Sequence, residues 1–172
     1  MLTVLGVILV LFSCISLAMQ RLAKERKKND LARDFRQLFS YLAEKIEYTQ
    51  DTLPSLLQQA SNEDFGEVKD FLAILTENLS DGNKQTLKEA WQKSLQVYAD
   101  KLSLTSHMRR ILKNIGDCLG QLALRAEIEN LNKACADLDD EIRRGEKEFA
   151  GNAKLIKSSG ILLGILLVIL FL

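Results

Sequence analysis

Apolar side chains recur at helical spacing through almost all of the middle of the chain, and no stretch alternates as a strand does. The first stripe predicts a helix that runs to about Tyr48. Asp51-Thr52-Leu53-Pro54 predicts the start of a short helix through Gln59, since Pro is tolerated only in a first helical turn. The apolar stripes of the longer helices are Leu31, Phe35, Leu38, Leu42 and Ile46; Phe65, Val68, Phe71, Leu72 and Leu75; Leu87, Ala90, Trp91, Leu95, Tyr98 and Leu102; Met108, Ile111, Leu112, Ile115 and Leu119; and Leu124, Ile128, Leu131, Cys135, Leu138 and Ile142.

Polar residues predict where some of these helices begin and end. Thr86-Leu87-Lys88-Glu89 has the pattern of a capping box, in which the Thr and Glu side chains bond each other's free backbone N–H groups. Ser103 or Thr105 is expected to cap the next helix, which should end near Gly120.

The last stripe is the most regular, because its members alternate in steps of four and three residues. Such a heptad seam predicts a helix that packs against another along its length. Together the stripes predict an all-α fold, an antiparallel helical bundle of about six helices. The first and last helices of this bundle are expected to continue into the two ends of the chain.

Both ends of the chain are apolar and uncharged. Leu2–Met19 provides 18 such residues and Ser158–Leu172 provides 15. As helices they would be about 27 and 22 Å long, against a hydrocarbon core of about 30 Å. The second can be extended by the preceding turn if Lys154 and Lys157 reach toward the headgroups. The predicted domains are a transmembrane helix at 1–20, the helical bundle at 21–157 and a transmembrane helix at 158–172.

Other interpretations of these two runs stay open. The first could be a secretory signal, because Ser16-Leu17-Ala18 has the small side chains of a cleavage site. However, no Lys or Arg precedes the apolar stretch, as one does in most signal peptides. The second could be a buried core helix, although it is apolar on every face and has no polar side for water.

All charge lies between the two apolar runs. The chain has 23 basic and 23 acidic side chains and therefore no net charge. Proteins that bind nucleic acid depend on an excess of Lys and Arg to neutralise phosphates. We therefore expect no nucleic-acid partner.

Basic side chains cluster on the inner side of both runs, and cytoplasmic flanks of membrane helices carry such an excess. The middle of the chain is therefore predicted to be cytoplasmic, with both chain ends on the far side of the membrane. The predicted membrane-orienting residues are Arg21, Lys24, Arg26, Lys27, Lys28, Lys154 and Lys157.

The sequence offers no constellation typical of catalysis. His107 is the only His, and without a second His or a paired carboxylate at ligand spacing it predicts neither a metal site nor a general base. No cysteine cluster, nucleophile elbow or phosphate-binding loop is present. Trp91 and Tyr98 are expected to pack in the core, and the pair Asp139-Asp140 to lie on a solvated face. We predict a protein that is not an enzyme, with no catalytic, cofactor-binding or metal-binding residues and no small-molecule substrate.

Gly160 and Gly164 form a G-x-x-x-G pattern in the second apolar run, which lets two helix backbones approach closely. The expected partner is the first run, where Gly6 and Ser13 are the small contacts. Gly is also common in membrane helices without any such role.

Two terminal apolar segments lie on either side of a helical middle that carries three local patterns, and a fourth pattern ends the chain. These are Glu47-Tyr48-Thr49-Gln50-Asp51-Thr52-Leu53-Pro54, Thr86-Leu87-Lys88-Glu89-Ala90-Trp91, Ile111-Leu112-x-x-Ile115-Gly116-x-x-Leu119-Gly120, and the Gly-containing apolar ending Ser159–Leu170. In this layout and in these patterns, the chain resembles the stage III sporulation protein AB family over nearly all of its 172 residues. One departure is Gln121-Leu122-Ala123-Leu124-Arg125-Ala126, where the family often has a Ser-Asp-x-x-x-Gln stretch.

This resemblance implies a bundle similar to the cytoplasmic F-domain of type II secretion platform proteins. It also implies a component of the transenvelope complex between mother cell and forespore, in the membrane around the developing spore. Docking of the bundle with the cytoplasmic ATPase of that complex is a further implication. Any contact made by the departing stretch in other members is in doubt here.

The function favoured at this point is a non-enzymatic membrane platform that presents a docking surface to an ATPase. One alternative is a two-helix membrane scaffold without an ATPase partner. Another is a sensor-like bundle protein, although receptors of that kind need an output domain after the second membrane helix, and their bundle lies outside the cell.

Overall fold

The computed structural model describes the backbone of residues 2–49, 51–80, 86–99, 104–120 and 123–171. It describes the side chains of residues 16, 20, 23–24, 26–49, 51–80, 86–99, 104–120 and 123–151. Over these residues the chain forms six α-helices and a 3₁₀ turn, with no strand. The helices are α1 (Leu2–Thr49), α2 (Leu53–Ala60), α3 (Lys69–Ser80), α4 (Leu87–Ala99), α5 (Ser106–Cys118) and α6 (Leu124–Phe171), and the 3₁₀ turn is Gly66–Val68. The predicted all-α class is confirmed.

The chain divides into two compact units. Residues 28–143 form one, and residues 1–27 with 144–172 form the other. Among the described residues, no helix is both long and apolar enough to cross a membrane. Apart from Ser16, the side chains of Leu2–Met19 and Ser158–Leu172 lie outside the described part. The two transmembrane helices and the domain limits at residues 20 and 158 therefore stay predictions.

Three predicted helix starts are present in the structure, and side-chain bonds cap two of them. The backbone N–H of Thr86 donates to Glu89 Oε2 at 2.9 Å, and that of Glu89 donates to Thr86 Oγ1 at 3.3 Å, so the capping box is confirmed. Thr105 is the N-cap of α5, with its hydroxyl accepting from the Met108 N–H at 3.1 Å. Thr52 is the N-cap residue of α2, and Pro54 lies in the first turn.

α3 and α4 run in opposite directions. Asn78 near the end of α3 donates from Nδ2 to Ser94 Oγ at 2.9 Å in the core. At the other end of the pair, the Phe71 ring lies 5.7 Å from that of Tyr98. The residue numbers rise along one helix as they fall along the other, which defines an antiparallel pair.

α5 and α6 are antiparallel as well. Thr105, before the first residue of α5, bonds to Glu141. After the other end of α5, the backbone N–H of Gly120 donates to Glu127 Oε1 at 2.8 Å. These two pairs confirm the antiparallel bundle over the described residues.

The core of the larger unit is built around five aromatic rings from three helices. Trp91 is fully buried, and its ring lies 4.9 Å from Phe71 and 6.2 Å from Phe39. Phe35 packs 5.5 Å from Phe71, and Tyr98 contacts the same ring. Burying each such side chain contributes roughly 1.5–3 kcal/mol, so α1, α3 and α4 are held together mainly here. The prediction that Trp91 and Tyr98 pack in the core is confirmed.

The prediction of a buried heptad seam on α6 is confirmed at the centre of the seam and is wrong at its start. Leu131, Cys135 and Leu138 are buried, but the Leu124 side chain is 46% exposed. Leu124 is the first residue of α6. Because helical side chains lean toward the N-terminus, the side chain of a first residue projects beyond the helix and has no neighbouring turn to pack on.

Candidate functional site

The predicted basic flank is described only in part. Lys24, Arg26 and Lys27 are exposed on α1, whereas Lys28 is half-buried. The Arg26 guanidinium lies 5.4 Å from the centre of the Phe149 ring, a cation–π contact within the smaller unit. Three residues of the flank fall outside the residues whose side chains are described: Arg21, Lys154 and Lys157.

The predicted helix-packing glycines are not tested by the structure. Gly6, Gly160 and Gly164 lie outside the residues whose surroundings are described. Close packing of the two apolar runs through these positions therefore stays a prediction.

His107 has a carboxylate partner that the sequence did not indicate. Its Nδ1 lies 2.9 Å from Glu141 Oε2, and both side chains are largely buried. Glu141 also accepts a hydrogen bond from the Thr105 hydroxyl, which itself accepts from Met108. Glu141 lies 34 residues away on another helix, so no local spacing in the sequence could reveal this partner.

The hydrogen bonds among Thr105, His107 and Glu141 join α5 to α6. The Thr105 oxygen accepts from the Met108 N–H, and the two Glu141 oxygens bind Thr105 and His107 separately, so these three oxygens all have structural partners. In the part of the chain that the structure describes, no set of three or more His, Cys, Asp or Glu side chains could hold a metal ion. The group therefore holds the start of α5 against α6.

A second contact joins α1 to α6. Arg36 Nε donates to Asp139 Oδ1 at 2.8 Å, and this bond raises the pKa of Arg36. Asp139 therefore does more than face solvent as predicted, whereas Asp140 is exposed. The Cys135 thiol next to them donates to the Arg36 carbonyl, and burial raises the pKa of that thiol, which keeps it protonated and unreactive.

A third polar group joins α4 to α5. Lys88 Nζ lies 3.0 Å from Asp117 Oδ1, and Gln92 Nε2 donates to the same oxygen at 2.8 Å. The bond from Lys88 lowers the pKa of Asp117. This carboxylate stays ionised and is held in one orientation by α4. Asp117 was not singled out from the sequence, since its partners lie 25 or more residues away.

Among the residues whose side chains are described, one large aromatic side chain is left in solvent. Tyr48, in the last turn of α1, is 80% exposed. It belongs to the segment Glu47–Pro54 on which the family resemblance partly rests. Exposed aromatic side chains of this kind are typical anchors of protein–protein interfaces.

Known proteins match the chain over most of its length. The family model described as stage III sporulation protein AB matches residues 3–172. The stage III sporulation protein AB of Bacillus subtilis (strain 168) is 29% identical over 138 residues, which are 80% of this chain and 80% of that protein. A solved structure of a stage III sporulation protein AB has a TM-score of 0.65, with 22% identity, over 72% of this chain and 97% of that one. The last comparison shows the same fold.

Proposed function

We propose that this chain, which belongs to the stage III sporulation protein AB family and so has a role in sporulation, is a membrane platform of the complex between mother cell and forespore. The platform is not an enzyme. Its apolar ends anchor it in the membrane around the developing spore, and its helical bundle lies on the cytoplasmic side, where it docks the ATPase of the complex.

The observation that carries this proposal is the continuity of α1 and α6. Each is a single helix of 48 residues that begins or ends in an apolar run. Each also contributes buried side chains to the bundle, including Phe35 and Phe39 from α1 and Leu131 and Leu138 from α6. A helix without a break carries force along its axis, because every turn is hydrogen-bonded to the next. A displacement of the bundle by a partner would therefore reach the membrane segments.

Tyr48 is the proposed anchor for the ATPase. It lies at the end of α1 opposite to the apolar run and has no role in the core. An aromatic ring that becomes buried at the centre of an interface typically contributes more than about 1 kcal/mol to binding. This placement leaves the basic flank free for the membrane surface.

Co-purification in mild detergent tests the proposal. The full chain and the ATPase of the complex are produced together, and we expect the ATPase to be recovered with the chain. Tyr48→Ala should weaken this association at least about fivefold. Val97→Ala is the matched control, because Val97 is another exposed apolar side chain, on α4.

The alternatives give different outcomes in the same experiment. A two-helix scaffold without an ATPase partner would bring down no ATPase from the wild-type chain. A sensor-like bundle would also lack the ATPase, and its bundle would be exposed outside the cell. Either result contradicts the platform, whereas equal losses in both variants would contradict the role given to Tyr48.

A further inference from the structure

A cleft of about 320 Å³ lies between the facing sides of α5 and α6. Its floor is apolar and belongs to the core, because Ile111, Ile115 and Ala134 are each at most 5% exposed. A volume of this size is at the low end for ligand sites in proteins. It suits one long side chain better than a cofactor.

The two walls of the cleft each carry a carboxylate. Asp117 is on α5 and Asp137 on α6. Lys88 and Gln92 both bind Asp117 through Oδ1, which leaves Oδ2 without a partner among the described residues. Asp137 likewise makes no hydrogen bond or ion pair within the described part of the chain.

Unused amide groups lie beside these carboxylates. Asn114 on α5 and Asn130 on α6 both line the cleft. Neither side chain has a hydrogen-bond partner among the described residues. The cleft thus has two carboxylates and two amides with free hydrogen-bonding atoms above an apolar floor.

We propose that this cleft takes an arginine side chain of a partner protein. The aliphatic stem would lie on Ile111, Ile115 and Ala134, and the guanidinium would donate to the Asp137 carboxylate and the free oxygen of Asp117. A planar guanidinium offers five donors in a fixed fork and is weakly hydrated, which fits two carboxylates above an apolar floor. A lysine ammonium, a compact and strongly hydrated charge, matches this arrangement less well. The inference rests on the proposed function only in that a protein partner is expected.

Replacement of Lys133 tests whether the cleft binds a positively or a negatively charged side chain. Lys133 also lines the cleft, and its ammonium has no partner among the described residues. Its positive charge opposes a bound guanidinium. Lys133→Ala should therefore strengthen arginine binding, whereas it would weaken the binding of an acidic side chain.

The test uses N-acetyl-arginine methylamide as the probe, titrated into the isotope-labelled full chain in detergent micelles and followed by NMR. We expect saturable shifts of the Asn114 and Asn130 side-chain amides. The citrulline analogue, which is uncharged and has nearly the same shape, should cause none. Asp137→Asn should weaken binding about three- to fivefold, the range of a partly exposed ion pair. Asp140→Asn removes the same charge from an exposed position outside the cleft and should not weaken it.

Three outcomes would overturn the proposal. These are equal binding of the citrulline analogue, equal effects of Asp137→Asn and Asp140→Asn, and weaker binding after Lys133→Ala. The result is independent of the ATPase experiment. If the ATPase failed to co-purify while the arginine probe bound, the arginine-binding cleft would be supported and the platform function would be contradicted.

Discussion

Gly116 is the residue that sets how closely α5 approaches Trp91. A Cβ atom placed on it would lie 2.1 Å from Trp91 Cδ1, with two further atoms of the same ring within 2.9 Å. Trp91 cannot move away easily, since it is fully buried and its Nε1 donates to the Leu112 carbonyl at 2.9 Å. The Gly in the pattern Ile115-Gly116 is therefore required by packing.

Gly116→Ala should lower the free energy of unfolding by roughly 1–2 kcal/mol, because overpacking exceeds the gain in helix propensity. Denaturant unfolding followed by the fluorescence of Trp91, the only Trp, measures the change. Gly151→Ala is the matched control, since a Cβ at Gly151 meets no atom within 4 Å. Equal stability of the Gly116→Ala and wild-type chains would contradict the packing described here.

Tyr98 links stability to alkaline pH. Its hydroxyl donates to the Glu67 carbonyl, and burial, with the nearby Asp70 and Glu67 carboxylates, raises the pKa of Tyr98 to about 12. An unfolded tyrosine loses its proton near pH 10. Between about pH 10 and 12 the unfolded chain is ionised while the folded one is not, so this contribution is complete below pH 10 and is lost as pH rises.

Tyr98→Phe should therefore make the free energy of unfolding fall less steeply between pH 10 and 12. The measurement is denaturant unfolding at several pH values in that range. Tyr48→Phe, which removes an exposed hydroxyl, is the control and should leave the slope unchanged. The same slope for all three chains would show that Tyr98 does not titrate in the way its surroundings imply.

Residues in polar contacts between helices were the least predictable from sequence. The core positions followed from periodicity, because burial repeats with the helical turn. The partner of His107 did not, since Glu141 is fixed only by the crossing of α5 and α6. The same holds for Asp117 and for the cleft, which exist only when α4, α5 and α6 are brought together.

At the scale of the helices, the sequence predicted which helices form and their order along the chain. It predicted the burial of side chains at the helix ends less well. The capping box at Thr86 and the helix start before Pro54 depend on residues that are close together in the sequence, and both are present as predicted. The exposure of the Leu124 side chain depends on which residues pack beside the first turn of α6, and the periodicity of the sequence carries no information about them. The predicted ends of α1, α2 and α5 were within about two residues, but the stripe that begins at Phe65 includes the 3₁₀ turn, and α3 itself begins at Lys69.

The continuity of α1 and α6 gives a prediction for hydrogen exchange. If both helices transmit displacement, the amides of residues 21–28 and 145–151 should exchange slowly, as in the middle of a stable helix. Hydrogen–deuterium exchange of the full chain in detergent measures this. Rapid exchange at either segment would reveal a hinge there and would contradict mechanical coupling between bundle and membrane.

At the scale of the whole molecule, the sequence correctly predicted the family and the all-α fold. The family model covers residues 3–172, and the fold matches a solved member with a TM-score of 0.65. The resemblance to the family rested on the layout of the chain as much as on any motif, because an uncharged run at each end and a charged helical middle can be recognised in a single sequence. Partners and membrane topology depend on contacts outside this chain and could not follow from its own packing.

The measurement that tests the central claim most directly is labelling with a membrane-impermeant maleimide. Single cysteines are placed at the exposed Gln96 of the bundle and at Leu172, in a chain whose three native cysteines are replaced. The chain is produced in vegetative cells, where the only membrane it can enter is the plasma membrane. In intact spheroplasts of these cells, Leu172→Cys should be labelled, and Gln96→Cys should be labelled only after the membrane is opened. Labelling of Gln96→Cys in intact spheroplasts would place the bundle outside and contradict the platform.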